Sequence, residues 1–150
     1  MNNNFVKSTE FLAKWEWRGQ LDGAPTNHPR DPGGFTRFGI SKKGNPDIDV
    51  ENLTLENALK LYYNRYWMVC NCDSIEMPLA LCVYNAAVMS GPRRALGILE
   101  DVKDWKEYLN NYKIFLFNLN RPDFIKGWTN RINDLRKFCE IYELDNPKEK

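Results

Sequence analysis

Glu16 stands between Trp15 and Trp17, and fifteen residues later begins the run Asp31-Pro32-Gly33-Gly34-Phe35-Thr36-Arg37-Phe38-Gly39-Ile40-Ser41. A carboxyl group closing an apolar segment, then a Gly-rich turn carrying a second carboxylate and a hydroxyl, holds the parts for acid catalysis on an acetal. Cleaving a glycosidic bond needs a proton delivered to the leaving oxygen and stabilisation of an oxocarbenium-like carbon, commonly by two carboxyl groups flanking the bond. A carboxyl acting as the acid must hold its proton near neutral pH, which burial beside apolar groups brings about by penalising the anion. Glu16 fits the acid, Asp31 its partner, and Thr36 a hydroxyl that holds a water or steadies a sugar. Each is ordinary alone. An Asp before Pro-Gly accepts hydrogen bonds within its own turn, a Thr in a short strand is a β former, and a Glu at a helix end is a solvated charge. The combination carries the reading.

These residues need elements to hold them. Phe11, Leu12 and Trp15 fall on one face at three-to-four residue spacing, which predicts a helix over 8–16 or 8–17. Residues 18–50 are rich in Gly and Pro, and 35–40 alternate as a short strand does, so this stretch reads as loop and small hairpin. Trp17 and Phe38, flanking the glutamate and the hairpin, are the aromatic candidates for contact with a sugar. Thr54 is placed to cap a helix over 55–67 with a wide apolar stripe. A loop over 70–76 leads to Pro78 and a helix over 79–89 that is apolar nearly all round, the expected central helix, ended by Ser90-Gly91. Further helices are expected from Pro92 to about 99, over 105–119, and over 122–142 behind Asn120-Arg121-Pro122. Arg93-Arg94 reads as a solvated first turn, and 145–150 as a frayed tail. The fold class is mainly α with one small β excursion.

Composition narrows the function. The 150 residues suit one globule. With 21 basic and 20 acidic side chains and a net charge of +1, the chain lacks the basic excess of a dedicated nucleic-acid binder. The N-terminus has no apolar core or small-residue cleavage site of a signal peptide, and no run approaches the roughly 20 apolar residues of a membrane span. The expectation is a chain made in the cytoplasm and not inserted in a membrane. Cys70 and Cys72 enclose one residue, where structural zinc sites enclose two to four and add a second pair. No metal site and no cofactor are expected. Cys82 and Cys139 read as small core residues.

The blocks Trp15-Glu16-Trp17-Arg18-Gly19, Asp31 to Ser41, Tyr66-Trp67, and Tyr84-Asn85-Ala86-Ala87-Val88-Met89-Ser90-Gly91 occur in a fixed order, followed by Gly127-Trp128-Thr129-Asn130-Arg131. In this the chain resembles the glycoside hydrolase family 108 lysozymes, N-acetylmuramidases found as phage endolysins and in bacterial secretion-activator proteins. The resemblance covers nearly the whole chain. It implies an α+β lysozyme-like fold, with a catalytic region over 1–100 and a C-terminal helical region over 101–150 similar to a peptidoglycan-binding domain. It also implies hydrolysis of the β-1,4 bond between N-acetylmuramic acid and N-acetylglucosamine, with Glu16 as the catalytic acid and Asp31 and Thr36 opposite it. Asn85 falls on the presumed cleft floor, as a substrate-binding position. Peptidoglycan glycan strands are the implied partner. A holin or another delivery system would bring the enzyme to the wall.

The chain departs from the family pattern in several places. Trp17 and Arg18 replace glycines, Asn85 and Met89 stand where the family has Asp and Asn, and the stretch to Asp31 is longer, which admits Asp22 as an alternative second carboxylate. A non-catalytic peptidoglycan-binding or regulatory relative would keep the scaffold without turnover. A peptidoglycan peptidase using His28 with Cys70 or Cys72 is the remaining alternative.

Overall fold

Asn2 starts the first helix. In the computed structural model, which describes residues 1–17 and 34–148, its side-chain oxygen accepts the Phe5 amide hydrogen at 2.9 Å. This satisfies one of the donors that a helix start leaves open. Helix α1 therefore runs Asn3–Glu16, five residues earlier than the apolar spacing alone predicts. The described residues form two units, Met1–Arg65 and Tyr66–Lys150.

In the first unit α1 buries Phe5, Phe11, Leu12 and Ala13, and the Phe5 ring meets Tyr63 edge-on at 5.1 Å. The alternation over 35–40 resolves into a hairpin, because Phe38 and Gly39 both take positive φ (51° and 71°) and reverse the chain. Two such residues make the tight turn whose twist matches paired strands. Strands β1 (Thr36–Arg37) and β2 (Ile40–Ser41) are antiparallel, with Thr36 opposite Ser41 and Arg37 opposite Ile40. A 3₁₀ turn, Val50–Asn52, packs against β1. Thr54 then caps α2, Leu55–Tyr62, by accepting the Asn57 amide hydrogen at 3.2 Å. The helix expected to reach Trp67 changes register after Tyr62 and continues as a π turn, Tyr63–Trp67.

The second unit is built around α3, Leu79–Ser90, in which every residue from Ala80 to Ala87 is buried. A helix apolar on all sides can be stable only when surrounded. Helices α4 (Pro92–Leu99), α5 (Trp105–Asn118) and α6 (Pro122–Asp145) supply the cover, with α3 packed on α4 and α5, and α5 on α6. Gly91 at φ +89° lets α3 end and α4 begin at one residue. Asp104 caps α5 by accepting from the Glu107 amide at 2.9 Å. Trp67 donates its indole hydrogen to Asp73 at 2.7 Å and meets Tyr84 edge-on at 5.3 Å. The indole of Trp105 likewise donates to Glu143 at 2.7 Å, joining the start of α5 to the end of α6. The described residues are mainly α with one small antiparallel hairpin, and no described helix is long and apolar enough to cross a membrane.

Candidate active site

Glu16 is the last residue of α1 and is half-buried. The helix stops there because Trp17 leaves helical geometry (φ −95°, ψ 10°) while its amide still bonds the Ala13 carbonyl at 2.9 Å. What holds this end is the hairpin turn. A Cβ placed on Gly39 would lie 3.0 Å from the Glu16 carbonyl oxygen, 2.6 Å from the Tyr62 hydroxyl and 3.2 Å from Trp17 Cδ1. Only glycine fits this position, since its φ is positive and its neighbours leave no room for a side chain.

Tyr62 closes the arrangement. Its hydroxyl donates to the Phe38 carbonyl at 2.8 Å and accepts the Trp17 indole hydrogen at 3.3 Å. One phenol thus binds the tip of the hairpin and the residue after the glutamate. The Trp17 ring packs edge-on to Phe38 at 5.1 Å. In the same unit a hollow of about 300 Å³ is bordered by Trp17 with Val6, Thr9, Ala13, Leu55 and Leu59. Thr36 is half-buried on β1, and its hydroxyl donates to the Gly34 carbonyl at 3.2 Å.

The structure thus brings Glu16, Trp17 and Phe38 together with Gly39 and Tyr62 in the first unit, and sets Thr36 on the hairpin they hold. Three residues expected to contact substrate are buried. Trp17 and Phe38 were expected as sugar platforms, yet they are 6% and 4% exposed. Their rings are consumed in packing the turn onto the helix end, which costs less than exposing them to water. Asn85, expected on a cleft floor, is fully buried in α3, where its side-chain oxygen accepts from Arg131 Nε at 2.9 Å and its amide donates to Met89 Sδ at 3.4 Å. It is a polar link between α3 and α6. Asp31, Asp22, Arg18 and His28 lie outside the described residues.

Other groups settle on their own merits. Cys70 and Cys72 are each 1% exposed, which leaves their sulfurs enclosed and opposes use as nucleophiles. Among the described residues no group of three or more His, Cys, Asp or Glu could hold a metal ion. Arg93 and Arg94 are exposed on the first turn of α4 and edge a hollow of about 590 Å³, with the Arg94 guanidinium 4.5 Å from the Phe115 ring centre. Gly39 and Tyr62 were the residues that sequence reasoning missed. The signal available for Gly39 was its place after Phe38 in an alternating run. Tyr62 gave none, being one of several tyrosines on an apolar helix.

Comparison with known proteins identifies the family. The family Glycosyl hydrolase 108 matches residues 14–91, a span that opens two residues before Glu16 and ends where α3 gives way to α4. The chain is similar in structure to SagA of Brucella abortus, with a TM-score of 0.73 and 22% sequence identity over 96% of this chain and 98% of that one. No curated protein matches. At that identity the SagA likeness speaks for the fold, and the family match covers more than half of the chain. This protein therefore belongs to the glycosyl hydrolase 108 family, and is a glycoside hydrolase of the lysozyme type with a peptidoglycan-hydrolase role.

Proposed function

We propose that the chain hydrolyses the β-1,4 bond between N-acetylmuramic acid and N-acetylglucosamine, with Glu16 as general acid. The observation that carries this reading is the seating of the Glu16 helix end against the hairpin turn, inside the span matched by the family. A proton donor is effective only when held in position, and three independent restraints, the Trp17 amide, the Gly39 contact and the Tyr62 hydroxyl, converge within one residue of Glu16.

In the reaction the Glu16 carboxyl gives its proton to the bridging oxygen as the bond from that oxygen to C1 of the muramic acid breaks. The leaving sugar departs as an alcohol. Positive charge grows at C1 and its ring oxygen, and the carboxylate of Asp31 offsets it. A water then adds to C1, and its proton passes to one of the two carboxylates. Thr36 steadies the water or the sugar from β1. The glycan substrate lies in the cell wall, so the chain reaches it by release or export, with a holin or another delivery system as partner.

The test is product analysis on purified peptidoglycan. Wild type should generate new reducing ends carried by N-acetylmuramic acid, and Glu16→Gln should generate none while keeping the wild-type circular dichroism spectrum. Lysis by Glu16→Gln at the wild-type rate would overturn the assignment. Saturable wall binding by wild type without new reducing ends would make the chain a non-catalytic relative. Asp31→Asn and Asp22→Asn, assayed in parallel, identify the second carboxylate by which of them loses turnover.

A further inference from the structure

Two fully buried thiols touch in the core of the second unit. Cys82 lies in α3 and Cys139 in α6, both 0% exposed, with their sulfurs 3.6 Å apart although the residues are 57 apart in sequence. Any small apolar side chain would fill either position. What distinguishes the pair is that two different helices each present a sulfur to the other. We propose that Cys82 and Cys139 are the site of an intramolecular disulfide that staples α3 to α6 when the chain meets a low-molecular-weight disulfide oxidant such as oxidised glutathione.

The geometry asks little. A disulfide holds its sulfurs about 2.05 Å apart, so closing the pair from 3.6 Å moves them together by roughly 1.5 Å. The chemistry balances as two exchanges. One cysteine thiolate attacks the glutathione disulfide, forming a mixed disulfide and releasing one glutathione thiolate. The second cysteine thiolate attacks the mixed disulfide, forming the Cys82–Cys139 bond and releasing the other. Two electrons pass to the oxidant, and the two cysteine protons pass through solvent to the released thiolates.

Burial sets when this happens. It pushes the Cys82 thiol well above its ordinary range, so in the closed core the reactive thiolate is scarce and the oxidant is excluded. Exchange therefore runs during folding, or when α6 opens from α3. The bond would close a long loop, the case in which a cross-link most restricts the unfolded chain. The other pair, Cys70 and Cys72, encloses only Asn71 and would restrict almost nothing. None of the four cysteines belongs to the Glu16 site, so the proposal stands apart from the catalytic reading.

The experiment refolds wild type in a glutathione redox buffer and, separately, in dithiothreitol. Each sample is denatured, alkylated, digested and mapped by mass spectrometry. The expected result is a single cross-linked species containing Cys82 and Cys139, lighter than the two separate peptides by two hydrogens, with Cys70 and Cys72 alkylated. The oxidised protein should melt about 5 °C or more above the reduced one. Cys139→Ala should show no redox-dependent shift; if that variant fails to fold, Cys82→Ala serves, and the mapping of wild type needs neither. Four alkylatable thiols after refolding in the redox buffer, or a bond joining any other pair, overturns the proposal.

Discussion

A single hydroxyl does two tasks beside Glu16. The Tyr62 phenol donates to the Phe38 carbonyl and accepts from the Trp17 indole, so Tyr62→Phe leaves the ring packed and removes both bonds. With each net hydrogen bond worth about 1 kcal/mol, the variant should lose about 1–2 kcal/mol of stability. A loosened turn also shifts the helix end that carries Glu16, the proposed acid. Because the substrate does not bind the phenol in this reading, kcat should fall roughly tenfold while KM stays near wild type; a raised KM with kcat unchanged would mean Tyr62 touches substrate. Gly39 makes a sharper case. Gly39→Ala pairs a positive φ with a Cβ closer to Tyr62 and the Glu16 carbonyl than atoms ordinarily approach, and should cost about 2 kcal/mol or more. Denaturant melts check the cost. Wild-type stability in Gly39→Ala would mean that the turn stands free of the helix end.

Among the elements, α3 decides whether the second unit holds. Its one buried amide, Asn85, receives the Arg131 guanidinium from α6. Asn85→Ala strips a buried charged donor of an acceptor, and should destabilise by about 2 kcal/mol, read as a lower denaturant midpoint with an unchanged slope. A stability equal to wild type would show that Arg131 finds another acceptor at no cost. At an exposed cap the expectation is smaller: Asp104→Ala should lose about 1 kcal/mol, because only the first turn of α5 loses its acceptor. The helices with strong local signals were legible from sequence. Thr54 as a cap, Pro92 and Pro122 at helix starts and Gly91 at a helix end all act within a few residues. What escaped depended on distant partners. The earlier start of α1 turned on one asparagine side chain, and the π turn after Tyr62 has no residue that announces it. A small hairpin was expected after α1, but the place of its reversal, Phe38-Gly39, lay inside a run that alternates as a short strand does. The candidate site divides in the same way: Glu16 stands out in the sequence by its setting, but the residues that hold its helix end do not, since Tyr62 and Gly39 meet Glu16 and Trp17 across long stretches of chain.

The whole chain carries a net charge of +1, and at alkaline pH its stability depends on groups that folding keeps neutral. Burial pushes the Cys82 thiol and the Tyr108 phenol up, the latter donating its hydrogen to the Ala95 carbonyl at 2.8 Å. Between Cys70 and Cys72 the shared hydrogen bond draws Cys70 down and pushes Cys72 up. In the folded chain Cys72, Cys82 and Tyr108 therefore keep protons that the unfolded chain releases above about pH 8.5 for thiols and about pH 10 for the phenol. The sign follows. Groups raised on folding contribute stability that is fully present below their unfolded values and declines as pH rises past them, each by about 1.4 kcal/mol per pH unit once its unfolded form is ionised. Cys70, shifted the other way, contributes stability that builds as pH rises through its folded value and is held above its unfolded one. Reduced protein should thus hold its melting temperature from neutral pH to about pH 8.5, then lose it, more steeply above about pH 10. Tyr108→Phe should melt lower at neutral pH, having lost its bond to Ala95, yet show the shallower decline above pH 10. If its decline there is as steep as wild type's, Tyr108 is not among the groups that set the alkaline limit; a melting temperature level from pH 8 to pH 11 would remove the thiols as well.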